Sequence, residues 1–197
     1  MAIRPIRLFP DPVLRTRAEE VGDFGARDLE VLIRDLFDTM DFAQGVGLAA
    51  PQVGISSRVL VYDDREGNRA ALVDPEYDVL SDESESDYEG CLSVPEIGGD
   101  VERPFEIEVR GKNAEGKSVH FVAQGFLARI IQHETDHLDG TMFMQRLDGD
   151  ARREAMGAIR AAEWFGHGSI VGDLVFDDDA AARTYADEQF KAGGAGR

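Results

Sequence analysis

The sequence is short of several things a protein can be built on. It has one cysteine, Cys91, so no disulfide can form within the chain. It has no run approaching the ~20 apolar residues that span a bilayer. Its opening stretch, MAIRPIRLFPDPVLRTR, interrupts its apolar residues with arginine and proline, so no secretory h-region is visible. Positive charge is scarce: 21 Lys and Arg stand against 39 Asp and Glu, a net charge of −18. That balance argues against nucleic acid or an anionic membrane as a partner, because the global field repels both. The expectation is a cytoplasmic chain whose 197 residues suffice for one domain with a substantial core.

Histidine is scarce too, and its placement is informative. Of four histidines, two fall in Gln132-His133-Glu134-Thr135-Asp136-His137-Leu138-Asp139-Gly140. Residues four apart share one face of a helix, so His133 and His137 can grip one metal ion, with Glu134 in reach of a water on it. This is the H-E-x-x-H pattern of metal-assisted hydrolysis. The plainer reading makes His133 a half-buried helix residue and Glu134 and Asp136 solvated charges. A catalytic site of this type needs a third protein ligand. The metzincin position is occupied by Phe143 rather than histidine. Glu154 or Glu163 would serve a thermolysin-like site, but both lie in Ala151 to Trp164, which reads as a solvated helix. Cys91 is the other candidate. A lone cysteine is usually a small buried hydrophobe, but Glu89-Gly90-Cys91-Leu92-Ser93-Val94-Pro95 is a turn able to present a thiolate and backbone N–H groups together.

A third segment, Gly45-Val46-Gly47-Leu48-Ala49-Ala50-Pro51-Gln52-Val53-Gly54, is neither a phosphate loop nor a dinucleotide fingerprint. Close backbone packing would explain its glycines but not Gln52, a polar side chain in an apolar run.

GVGLAAPQVG, EGCLSVP and QHETDHLDG, in this order, resemble peptide deformylase, and Pro10 to Arg15 resembles that family's N-terminal segment. The likeness runs from about Pro10 to Arg146. It implies a hydrolase that removes the formyl group from N-formylmethionyl nascent peptides. Cys91, His133 and His137 would hold one divalent metal. Relatives commonly use Fe(II), and the donors also suit Zn(II), Ni(II) or Co(II). By the same resemblance, Glu134 is general base and then acid for the water attacking the formyl carbonyl. The Gln52 amide and Leu92 N–H would hold the oxyanion. Val46 and Gly90 would pair with the peptide as an added strand. Gly45, Val46, Gly47, Glu89, Gly90, Phe126, Arg129 and Ile130 would border the substrate. Arg129 stands where several relatives have an apolar residue: either its stem lines the pocket with its charge in water, or it points away. Glu89 and Arg103 are at positions expected to pair. Some relatives meet the ribosome through a basic C-terminal segment. Here Arg152, Arg153 and Arg160 are the only basic cluster, and the acidic tail speaks against that docking. Two rivals stay open: a metallopeptidase with a downstream Glu ligand, and a silent metal-binding relative.

The fold expectation is α+β, with mostly antiparallel sheets packed around the H-E-x-x-H helix, an N-terminal helix and a C-terminal extension. Leu29, Leu32, Ile33, Leu36, Phe37 and Met40 predict an amphipathic helix over Asp28 to Ala43. Strands are predicted at Arg58 to Tyr62, Ala70 to Asp74, Phe105 to Arg110 and Ser118 to Ala123. The second helix is predicted to run from Gly125 to Asp139-Gly140. Ser81 to Glu89, with five acids, reads as a solvated loop. Residues 1–170 are assigned to a catalytic domain and 171–197 to an acidic, loosely ordered tail.

Overall fold

The apolar run Val59-Leu60-Val61-Tyr62 explains most of the architecture. It forms strand β3 (Val59–Asp63), an interior strand of a five-stranded antiparallel sheet of order β2-β3-β4-β7-β8. The neighbours are β2 (Gly47–Ala49), β4 (Arg69–Val79), β7 (Glu106–Lys112) and β8 (Ser118–Gln124). A strand that alternates apolar with polar has one wet face; β3 has none. Val59 and Val61 face helix α1 (Ala26–Phe42), whereas Leu60 and Tyr62 face helix α2 (Gly125–Leu138). The sheet therefore lies between two helices, and both faces of β3 are core. The computed structural model describes residues 2–22 and 26–194. Among them no helix is long and apolar enough to cross a membrane.

α1 buries Leu29, Leu32, Ile33, Leu36 and Met40, as its periodicity requires. It also buries two polar residues on a neighbouring stripe. Asp35 accepts from the Ala2 N–H and from Arg4, and Thr39 accepts from the Arg4 N–H. The N-terminal segment is thereby strapped to the helix by its own backbone, and these buried polar groups are satisfied.

Two expectations are corrected. Ser81 to Glu89 is not a loop. Most of it is strand β5 (Ser84–Cys91), paired antiparallel with β6 (Val94–Pro104) from Ser84↔Pro104 to Gly90↔Gly98. A two-stranded ribbon needs only its backbone paired, so most of its acidic side chains stay in water and leave no apolar alternation to read. The tail is also built. Beyond helix α3 (Gly149–Ala161), β9 (Ser169–Val171) and β10 (Leu174–Phe176) make a hairpin, followed by helix α4 (Asp179–Gly194). β9 pairs with β1 (Ile6–Arg7) near the chain start, in a sheet of order β1-β9-β10. Ala182 and Ala186 pack with Ile3 and Val171, and Arg7 forms an ion pair with Asp179. Small alanines let α4 sit close to that sheet, which a count of acidic residues does not reveal. Residues 195–197 lie outside the described residues.

Candidate active site

α2 starts at Gly125, where φ is +55°, and ends at Leu138, capped by Asp139 and followed by Gly140 with φ of +70°. It is buried along most of its length, so His133 and His137 project from one face into the protein rather than into water. Their ring centroids are 5.0 Å apart. Cys91 arrives from the opposite side. The β5–β6 register shifts between Gly90 and Cys91, and such an irregularity re-aims the side chain that follows it. Cys91 Sγ comes to 3.2 Å from His137 Nε2. One ligand atom from each of Cys91, His133 and His137 lies within 4.8 Å of the others. One thiolate and two imidazoles suit a borderline divalent cation. Burial pushes His137 well below the usual imidazole range, which keeps it neutral and its lone pair available. Neither Glu154 nor Glu163 joins this cluster.

Glu89 fixes His133. Its Oε2 accepts from His133 Nδ1 at 2.9 Å, which leaves the other ring nitrogen for a ligand. Glu89 is itself clamped: Arg103 donates from Nε at 2.8 Å and from Nη2 at 2.9 Å. Burial alone would raise the Glu89 pKa, but hydrogen bonds from Arg103 and His133 win and hold the carboxyl well below its usual range. Arg103 reaches on to Asp136 at 2.7 Å, and Arg146 closes the chain on Asp136 at 2.6 Å.

Glu134 occupies the cavity beside the cluster. It is 4% exposed, and its Oε2 is buried without a hydrogen-bond partner. Burial pushes its pKa up to about 7. A Cβ on Gly47 would lie 2.4 Å from Glu134 Oε1, so the carboxylate fits only because β2 carries no side chain there. Gln52, 2% exposed, is fixed in orientation. Its Oε1 accepts from the Ala49 N–H at 2.8 Å, which turns Nε2 toward Ser93 Oγ at 3.4 Å and Cys91 Sγ at 3.6 Å.

The polypeptide deformylase family model matches residues 3–153. The chain belongs to that family. It is 49% identical over 168 residues to peptide deformylase 1 of Corynebacterium glutamicum, covering 84% of this chain and 99% of that one. It is 53% identical over 166 residues to the peptide deformylase of Acidothermus cellulolyticus, covering 84% and 91%. Among solved structures, the peptide deformylase of Thermus thermophilus superposes with a TM-score of 0.75 at 38% identity, over 81% of this chain and 94% of that one. Peptide deformylases remove the N-terminal formyl group of nascent peptides, and the family uses a divalent metal.

Apart from His137, the candidate site residues of the sequence meet around one cavity of this deformylase. Gly45, Val46, Gly47 and Gln52 line one side, and Glu89, Gly90, Cys91 and Leu92 another. Phe126, Arg129, Ile130, His133 and Glu134 come from α2. Phe126 is half exposed at the rim, and Ile130 is buried. The charge of Arg129 does not reach water, which rules out the first alternative. It is 6% exposed, and its guanidinium runs inward beneath the β5–β6 ribbon. There it donates to Glu89 Oε1 and Val101 O at 2.8 Å and to Glu85 O at 2.7 Å. Asp136, Arg146 and Ser93 were not singled out in the sequence. A buried acid inside a histidine motif implies a cationic partner, but spacing does not say which.

Two substitutions test this packing. Gly47→Ala is expected to displace Glu134 and lower kcat by ~10²-fold, the scale for an ångström of misplacement. An unchanged kcat would mean the carboxylate is not held at the position described. Arg129→Met takes a donor from two buried acceptors, Glu89 Oε1 and Val101 O, and from the half-buried Glu85 O. It is expected to cost about 3–5 kcal/mol of stability, as breaking a buried ion pair does, read as a lower urea midpoint with an unchanged m-value.

Proposed function

We propose that the deformylase works through Cys91, His133 and His137 as metal ligands and Glu134 as the proton carrier. The reading rests on one observation: a thiolate and two imidazoles converge beside a buried carboxylate that has a free oxygen. A divalent ion held there would supply a Lewis acid that lowers the pKa of water and polarises a carbonyl. Fe(II) is our expectation for it, with Zn(II), Ni(II) and Co(II) equally matched to the donors.

Glu134 accepts a proton from the attacking water at Oε2 and delivers it to the departing amine nitrogen, so that formate and a free N-terminus are the products. Its raised pKa suits a group that must both take and give a proton near neutrality. Gln52 Nε2 and the Leu92 backbone N–H donate to the oxygen that gains charge at the formyl carbon. Gln52 is ready for this because its carbonyl is tied to Ala49, so no reorientation is needed. The substrate backbone lies extended between Val46 and Gly90, and its methionine side chain enters between Val46, Phe126 and Ile130. Arg129 supports this pocket from beneath by fixing Glu89 rather than by touching substrate. A peptidase with a downstream Glu ligand has no support here, since Glu154 and Glu163 stand apart from the cluster.

The test is formate release from formyl-Met-Ala-Ser by anaerobically purified, full-length protein. Stoichiometric formate is expected. No formate from protein carrying one divalent metal per chain would refute the assignment.

A further inference from the structure

Gln52 is backed by a segment from near the start of the chain. It sits on a single 3₁₀ turn, Ala50–Val53, which Gly54 closes with φ of +80°. So short a turn has little stiffness of its own, because 3₁₀ hydrogen bonds are poorly aligned. Ile6, Arg7 and Phe9 support it. Ile6 joins Ala50 and Val53 in one core cluster. A Cβ on Gly54 would stand 2.9 Å from Arg7 Nε and 3.2 Å from Arg7 Nη2, so the guanidinium rests directly on the glycine. The Phe9 N–H donates to Ser93 O at 2.9 Å, and Ser93 Oγ is the oxygen 3.4 Å from Gln52 Nε2.

This segment is held in turn from far along the chain. β1 is two residues long, and its one neighbour in the sheet is β9. The Leu8 N–H adds a bond to Gly168 O at 3.2 Å. Asp179, at the start of α4, grips Arg7 with both oxygens: Nη1 donates to Oδ1 at 2.7 Å and Nη2 to Oδ2. Asp11 is a looser second partner, 3.7 Å from Nη1. A bidentate pair fixes the plane of a guanidinium as well as its place. Gly168, β9 and Asp179 all lie beyond residues 3–153, the span of the family model.

We propose that Arg7, oriented by Asp179, is a positioning residue for the Gln52 amide. The inference rests on the deformylase reading above, in which Gln52 Nε2 donates to the oxygen that gains charge. Ala49 fixes which way the amide faces, and Arg7 fixes where the turn that carries it stands. An oxyanion donor works only if it stands about 2.7–3.1 Å from the place the charge will occupy. That interaction is stronger in the transition state than in the bound substrate, so a loosened turn lowers kcat and spares KM. A tie that only stabilised the fold would lower the urea midpoint and leave kcat alone.

The experiment measures kcat and KM for formyl-Met-Ala-Ser with metal-loaded, full-length enzyme, each variant kept below the onset of its unfolding. Arg7→Met, Asp179→Asn and Gln52→Leu are compared singly, and the first two are each combined with the third. Losing one oxyanion donor outright costs ~10²–10³-fold in kcat. A donor that stays but drifts loses part of that, so Arg7→Met should lower kcat by about tenfold and change KM by less than about twofold. Asp179→Asn, which leaves Arg7 its contact with Asp11, should lower kcat by about threefold. Beside Gln52→Leu both losses should shrink to less than about twofold, because no donor is left to place. Metal content should be the same throughout. Parental kcat in folded Arg7→Met overturns the inference. So does a tenfold loss that persists beside Gln52→Leu, or metal lost from Arg7→Met, since either makes Arg7 a support of the fold at large. Should Arg7→Met not fold, Asp179→Asn decides on the same terms. A Gln52→Leu enzyme with parental kcat also overturns it, by removing the group that Arg7 is said to place. No formate from the parent is a different failure, that of the deformylase reading, and takes this inference with it.

Discussion

Cys91→Ala is expected to leave a protein that neither retains stoichiometric metal nor releases formate. Two imidazoles four residues apart hold a divalent ion weakly, and the third donor makes the site. Removing an outer partner of a metal ligand typically costs ~10–100-fold in affinity, so removing the ligand itself should cost more. Elemental analysis after dialysis is the readout, because it does not depend on turnover. The loss should be local: Cys91 sits at the end of a ribbon whose other pairs are independent of its sulfur. Circular dichroism of the variant should match the parent. One tightly bound ion per chain in the folded variant would remove Cys91 from the ligand set.

Glu134→Gln should do the opposite, keeping the metal and losing the reaction. The amide is the same size and fits beside Gly47, but it cannot carry a proton from water to the amine. A fall in kcat of ~10²–10⁴-fold is expected, with metal content unchanged. Near-parental turnover would dismiss Glu134 as the proton carrier. The same substitution should stabilise the metal-free protein, with a definite pH dependence. Burial raises the Glu134 pKa from 4.5 to about 7, so the folded state binds more protons than the unfolded state between those values. Ionised Glu134 therefore destabilises the fold fully above about pH 7, and the cost vanishes below about pH 4.5. The gain from glutamine should be largest at pH 8 and absent at pH 4. A gain independent of pH would point to packing instead.

The sequence revealed the parts of this site that are chemically rare. Histidines four apart around a glutamate, a lone cysteine in a glycine turn and a glutamine in an apolar run have few alternative uses. The structure brings Gln52, Cys91, His133 and Glu134 to one cavity and sets His137 beside Cys91 and His133. α1 and α2 were legible because a long apolar period survives local noise. β5 was not, since a ribbon bonded through its backbone imposes no pattern on exposed side chains. The course of Arg129 stayed open in the sequence because the fate of a buried guanidinium depends on acceptors distant in sequence: Glu85, Glu89 and Val101. The C-terminal hairpin was missed for a related reason. β9 is placed by its pairing with β1, and that pairing joins residues far apart in the sequence.

That pairing sets an order of events during synthesis. Ile6 and Arg7 leave the ribosome early, but their partners are Ile170 and Ser169. At ~5–20 residues per second, the gap is roughly 10–30 s. Throughout it the first strand has no β-partner, while β2, β3, β4, β7 and β8, with α2 behind them, come from a contiguous stretch that can assemble as it emerges. Cys91, His133, His137 and Glu134 all belong to that stretch or to the ribbon within it. A newborn chain can thus bring Cys91, His133, His137 and Glu134 together before β1 finds its partner in β9.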